Sequence, residues 1–124
     1  MIQTLNAPKP CGPYSQGVKA GNFIFVSGQD GVQPNGESAG ESISEQTAAS
    51  LENIKNVLAE KGAKLSDIVY ATCHLSELNQ GTVQEFNSVY ESYFKDVEVK
   101  PARITVGSQL LGVKVEISAI AAVN

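Results

Sequence analysis

Residues 42–75 read SISEQTAASLENIKNVLAEKGAKLSDIVYATCHL, and within them the spacing of apolar residues changes from a helical period to that of a strand. Ser42-Ile43-Ser44-Glu45 has the Ser-x-x-Glu spacing of a capping box, in which hydroxyl and carboxylate each satisfy a backbone N–H left free by the first helical turn. Ile43, Thr47, Leu51, Ile54 and Leu58 then recur every three or four residues as one stripe, and Gly62 supplies the stop. From Asp67 to Leu75 the chain alternates instead, with Ile68, Tyr70, Thr72 and His74 on one side and Val69, Ala71, Cys73 and Leu75 on the other. A helix leading into a strand predicts a stripe packed on a sheet.

On the C-terminal side, Thr82-Val83-Gln84-Glu85 reads as a second capping box, opening a helix with Val83, Phe86, Tyr90 and Phe94 on one face and ending before Pro101. Two strands follow, Ala102–Val106 and Val113–Ala121, joined by a loop containing Gly107 and Gly112. On the N-terminal side, a short strand is predicted near Gln3–Leu5, then an ordered loop punctuated by Pro8, Pro10, Gly12 and Pro13. Gly17–Lys19 and Phe23–Ser27, separated by Ala20-Gly21-Asn22, predict a hairpin, and Gly28–Gly40 predicts a polar loop.

The order is thus strands, helix, strand, helix, strands: a single α+β domain over residues 1–124, with two helices on one face of a mixed or antiparallel sheet. Two helices cover one face only. The strands nevertheless carry apolar residues on both sides, with Phe23 and Phe25 opposed to Ile24 and Val26, and Ile120 opposed to Val113, Val115, Ile117 and Ala119. Identical subunits are expected to bury the second face against one another.

Composition narrows the function classes. A net charge of −4 argues against a surface built for phosphate backbones, so nucleic acid is not an expected partner. No apolar run approaches the ~20 residues of a membrane span and the start has no leader pattern, which makes the cytosol the expected compartment. Cys11 and Cys73 lack metal-ligand spacing, and Cys73 reads as a small buried hydrophobe. His74 is the sole histidine, which leaves little for a metal cluster or a Ser-His-Asp relay; no metal or organic cofactor is expected.

Two ionisable residues stand out within strands. Arg103 alternates with Ile104 and Val106, which the pattern assigns to the helix-covered face, so Arg103 and Thr105 are expected to point the other way. Glu116 shares its face with Lys114 and Ser118. A guanidinium offers a planar fork for a carboxylate, and two readings stay open here: an Arg103–Glu116 structural pair, or a ligand site.

Gly12-Pro13-Tyr14-Ser15-Gln16-Gly17, Val26-Ser27-Gly28-Gln29, Pro101-Ala102-Arg103 and Val115-Glu116-Ile117-Ser118-Ala119-Ile120-Ala121 resemble the RidA family, also called YjgF or L-PSP, and the likeness runs nearly end to end. That resemblance implies a chorismate-mutase-like (ferredoxin-like) fold and a homotrimer with three clefts between subunits. It also implies hydrolysis of 2-imino acids and their enamine tautomers to 2-keto acids and ammonia. It places the carboxylate-binding arginine on Arg103, the acid on Glu116, and the cleft lining on Tyr14, Ser27, Gly28 and Asn87. Thr105 stands where many members carry a cysteine; a hydroxyl donates and accepts but supplies no thiolate.

From the residues alone, Tyr14 equally suits a loop anchor, and Ser27 and Asn87 suit turn or capping roles. His74 reads as a satisfied or interface histidine and Lys114 as a solvated one. Two rival functions accompany the deaminase reading. One is an endoribonuclease or translation inhibitor, which the acidic balance disfavours; the other is a non-catalytic keto-acid-binding or chaperone-like module, which needs Arg103 but not Glu116.

Overall fold

The capping box at Ser42 forms as its spacing predicts: Glu45 N donates to Ser42 Oγ at 3.0 Å and Ser42 N to Glu45 Oε1 at 3.3 Å. It opens helix α1, Ile43–Ala59, whose Leu51, Ile54, Val57 and Leu58 are buried. The computed structural model describes residues 1–124. The other elements are strands β1 (Gly17–Ala20), β2 (Phe23–Asp30), β3 (Ile68–Leu75), β4 (Ala102–Gly107) and β5 (Val115–Ala122), with helix α2 at Gln80–Phe94.

The strands form one mixed sheet in the order β1-β2-β5-β3-β4, antiparallel except for the β3–β4 pair that α2 connects. Both helices pack on one face, closing a core that includes Ile24, Val26, Cys73, Leu75, Phe86, Phe94, Val115 and Ile117. The other face is open: Phe23, Phe25, Tyr70 and Ile104 are between 38% and 47% exposed, so this side of the single chain is apolar and uncovered. The two-faced pattern and the α+β class therefore hold.

Four details differ from expectation. The Gln3–Leu5 strand is absent beyond a bridge between Ile2 and Gly17. Its backbone is satisfied by the buried amide of Gln16, which accepts from Thr4 N at 2.7 Å and donates to the carbonyls of Thr4, Ala7 and Pro8. Helix α2 starts earlier than Thr82: Asn79 is its cap, exchanging bonds with Thr82 as the third helical residue. Glu85, freed from capping, accepts from both Ser44 N and Ser44 Oγ and ties the second helix to the first.

The remaining two are β-bulges. One between Ile68 and Tyr70 turns Ile68 into the core, against its predicted set. The other lies in β2, where Ser27 and Gly28 intervene between the Val26–Ala119 and Gln29–Ile117 pairs, and the strand continues to Asp30 instead of becoming loop. An extra residue inverts the alternation beyond it, so Gln29 is buried and Asp30 faces the open side. Three polar residues of α1 secure this corner: Ser50 donates to Gln29 O, Asn53 to Val32 O, and Gln46 accepts from Lys114 N.

Candidate active site

The face assignment of Arg103 is corrected by the sheet register. In the parallel β3–β4 pair, Arg103 lies beside Ala71 and Thr105 beside Cys73, and both β3 residues are core residues on the helix-covered face. Arg103 and Thr105 therefore lie on that face, while Ile104 is exposed on the open side. Since β4 is the sheet edge, the guanidinium reaches out along α2. Its carbon stands 4.6 Å from the Tyr90 ring centroid and 5.6 Å from that of Phe86, cation–π distances that help hold it partly desolvated.

Arg103 Nη2 donates to Asn87 Oδ1 at 2.5 Å, so a neutral amide, not a carboxylate, orients the charge. Four of the guanidinium's five N–H groups are left over from this bond. Beside it is a hollow of about 320 Å³ lined by Asn87, Tyr90, Glu91, Phe94, Lys100, Pro101 and Arg103. Tyr90 was read from sequence only as a core aromatic, yet its hydroxyl is buried without a partner. Burial pushes that phenol up to about 12 and the Cys73 thiol up to about 11, which keeps both neutral around the one fixed positive charge.

Glu116 lies on the opposite face, as alternation along β5 requires, so the structural-pair reading of Arg103 and Glu116 is closed within one chain. It borders a second hollow, about 600 Å³, that also receives Tyr14, Ser27, Gly28, Asp30, His74 and Cys11. Gly28 has a specific reason to be glycine: a Cβ there would overlap the Glu116 carboxylate, which lies directly on the bulge. Ser27 Oγ donates to Ser15 O at 2.6 Å, anchoring the loop that presents Tyr14. The half-exposed Tyr14 meets Cys11 Sγ at 3.5 Å; that hydrogen bond, then burial, raises its phenol above the ordinary range. His74 Nδ1 is 2.7 Å from Ser108 Oγ, which satisfies one side of the ring.

The seven site residues expected from sequence thus fall into two groups. Arg103, Asn87 and Thr105 surround the edge of β4; Tyr14, Ser27, Gly28 and Glu116 gather on the open face. His74 joins the second group. Asp30 and Cys11 were not recognised, Asp30 because only the bulge brings it to this side.

Fold and site together define a small α+β domain with an oriented guanidinium at one edge of its sheet and a carboxyl-lined hollow on the opposite face. The chain belongs to the L-PSP family, also known as RidA or YjgF: a family model described as Endoribonuclease L-PSP matches residues 4–123. It is 48% identical over 124 residues to a RutC family protein of Pyrococcus abyssi, covering 98% of this chain and 94% of that one. It is 41% identical to the 2-iminobutanoate/2-iminopropanoate deaminase of Salmonella typhimurium, with 97% and 94% covered. The crystal structure of E. coli TdcF with bound serine superposes with a TM-score of 0.92 at 35% identity, covering 100% of this chain and 98% of the other. No helix is long and apolar enough to cross a membrane.

Proposed function

We propose that this protein hydrolyses 2-imino acids to 2-keto acids and ammonia, at clefts where the Arg103 edge of one subunit meets the Glu116 hollow of another. The carrying observation is the oriented but carboxylate-free guanidinium of Arg103 beside an open hollow. Deaminase activity in a 41% identical relative supports the reaction class, and serine in the TdcF structure supports a small ligand bearing a carboxylate. The apolar open face supplies a reason for subunits to associate, and a closed homotrimer is the arrangement we favour.

In this reading Arg103 binds the substrate carboxylate through two parallel hydrogen bonds, each worth about 1.5–3 kcal/mol when charge-assisted. The Gly28 N–H serves as a second donor, and Thr105 tunes the substrate preference. Glu116 deprotonates a water as it adds to the imine carbon, and proton transfer to nitrogen releases ammonia. Tyr14 closes the cleft. An iminium is already electrophilic, so orientation and proton movement suffice. The family description also carries an endoribonuclease reading, which the net charge of −4 disfavours.

The test follows decay of 2-iminobutyrate, generated in situ from threonine by a dehydratase. Wild type is expected to accelerate decay, and Arg103→Ala to lose roughly 100- to 10,000-fold in kcat/KM, from two such bonds. Equal rates with and without the protein would reject the reading; salt-sensitive cleavage of an RNA substrate by wild type, lost in Arg103→Ala, would favour the ribonuclease.

A further inference from the structure

Glu116 is not alone on the open face. In sheet register it lies between Asp30 of β2 and His74 of β3, so three ionisable side chains form a row across neighbouring strands. Asp30 is in that row only because the bulge at Ser27-Gly28 inverts the alternation of β2; a regular strand would have sent its carboxyl into the core. Gly28, lacking a side chain, lets the Glu116 carboxylate settle over the bulge toward β2. The two carboxyl groups come within hydrogen-bonding reach of each other once one of them carries a proton, and Asp30 Oδ1 is buried with no other partner.

We propose that Asp30 is a positioning residue that shares a single proton with Glu116, so that the pair serves as base and then as acid in one turnover. Two carboxylates packed this closely do not both ionise at ordinary cost. Burial foremost, then the hydrogen bond with and the charge of Glu116, push the Asp30 carboxyl up to about 7. The other ionisable groups facing the pair are His74 from β3 and Tyr14 and Cys11 from the N-terminal loop; the 108–111 loop brings no charge. His74 is the one group there able to add a positive charge.

The chemistry rests on the imine-hydrolysis reading, whereas the proton sharing does not. The pair begins with one proton. As water oxygen bonds to the iminium carbon, the C=N π pair moves to nitrogen and the released water proton makes the pair doubly protonated. The pair then protonates nitrogen; the C–N bond breaks with its electrons on nitrogen, and the hydroxyl proton passes through the pair to the departing ammonia. One iminium and one water give one ketone and one ammonium, and the pair again holds one proton.

The test combines carboxyl 13C titration of the full-length protein, without substrate, with pH profiles of 2-iminobutyrate hydrolysis. In wild type, the Asp30–Glu116 pair should titrate in two steps, with the upper one, seen at Asp30, near neutral pH. Asp30→Asn should abolish that upper step, remove the alkaline limb near pH 7, and lower kcat at pH 6 at least about tenfold with KM unchanged. His74→Gln should keep that limb, which excludes imidazole as its source. An Asp30 carboxyl that titrates in the ordinary range in wild type, or an Asp30→Asn profile that keeps the limb, would overturn the proposal. Should Asp30→Asn fold poorly, Glu116→Gln decides: the Asp30 titration should move down, while burial still holds it above the ordinary carboxyl range, and an unmoved Asp30 would overturn the proposal. Two-step titration without imine hydrolysis would uphold the shared proton and reject the reaction.

Discussion

Arg103 and Glu116 stand on opposite faces of one five-stranded sheet, the first beside the core residue Ala71 of β3 and the second beside His74 of the same strand. Alternation makes this unavoidable: Ala71 and His74 are three positions apart and point to opposite sides. A ligand held by both residues must therefore lie between subunits. The apolar open face, with Phe23, Phe25 and Tyr70 exposed, is the part of the surface that gains most from such contact.

Gly28→Ala should damage the site more than the fold. The added methyl would occupy the position of the Glu116 carboxylate and force the side chain to another rotamer. A stability loss of about 1–2 kcal/mol is expected from the local overpacking, with kcat for imine hydrolysis reduced about tenfold by the displaced acid. Thermal unfolding and steady-state kinetics check the two parts separately. Unchanged kcat would contradict the role given to Glu116.

Stability should fall as pH rises toward neutrality because of Asp30. Its carboxyl is raised in the folded protein relative to about 3.9 in the unfolded chain, so between those values the folded state binds more protons than the unfolded one. The contribution is fully present below about 3.9, falls as pH rises between the two values and is gone above about 7. Asp30→Asn removes this dependence, and its midpoint between pH 5 and 8 should be flatter than that of wild type in denaturation scans.

Gln16→Leu keeps much of the volume but removes four hydrogen bonds to the segment from Thr4 to Pro8. A loss of about 2–4 kcal/mol is expected from the buried backbone groups left unpaired, corresponding to a Tm lower by about 10 °C. Calorimetry measures it. A drop under 2 °C would show that these bonds do not hold the N-terminal loop.

Both helices, the central strands and the two-faced sheet were legible because each rests on a local signal: the capping box at Ser42, the stripe through Leu58, and the alternation of Val115 to Ala121. What failed depended on distant partners. The face of Arg103 is fixed by pairing with Ala71 across a crossover, and two-residue alternation within β4 cannot say which half is covered. The bulges at Ser27-Gly28 and before Tyr70 reverse the pattern without a composition cue beyond one glycine, which hid Asp30 from the site. At α2, Asn79-x-x-Thr82 and Thr82-x-x-Glu85 are overlapping capping patterns, and Glu85 went to Ser44 instead. The Arg103 and Glu116 assignments came from the family resemblance.

Subunit mixing tests the shared cleft most directly. Chains carrying Arg103→Ala are unfolded and refolded together with an equal amount of chains carrying Glu116→Gln, each inactive by itself, and 2-iminobutyrate hydrolysis is measured. If each cleft takes Arg103 from one subunit and Glu116 from the next, random assembly into a closed ring restores about a quarter of wild-type activity, since one junction in four joins the two intact residues. No recovery above the separate variants, with mixed oligomers demonstrated by mass spectrometry, would contradict a catalytic site built between subunits.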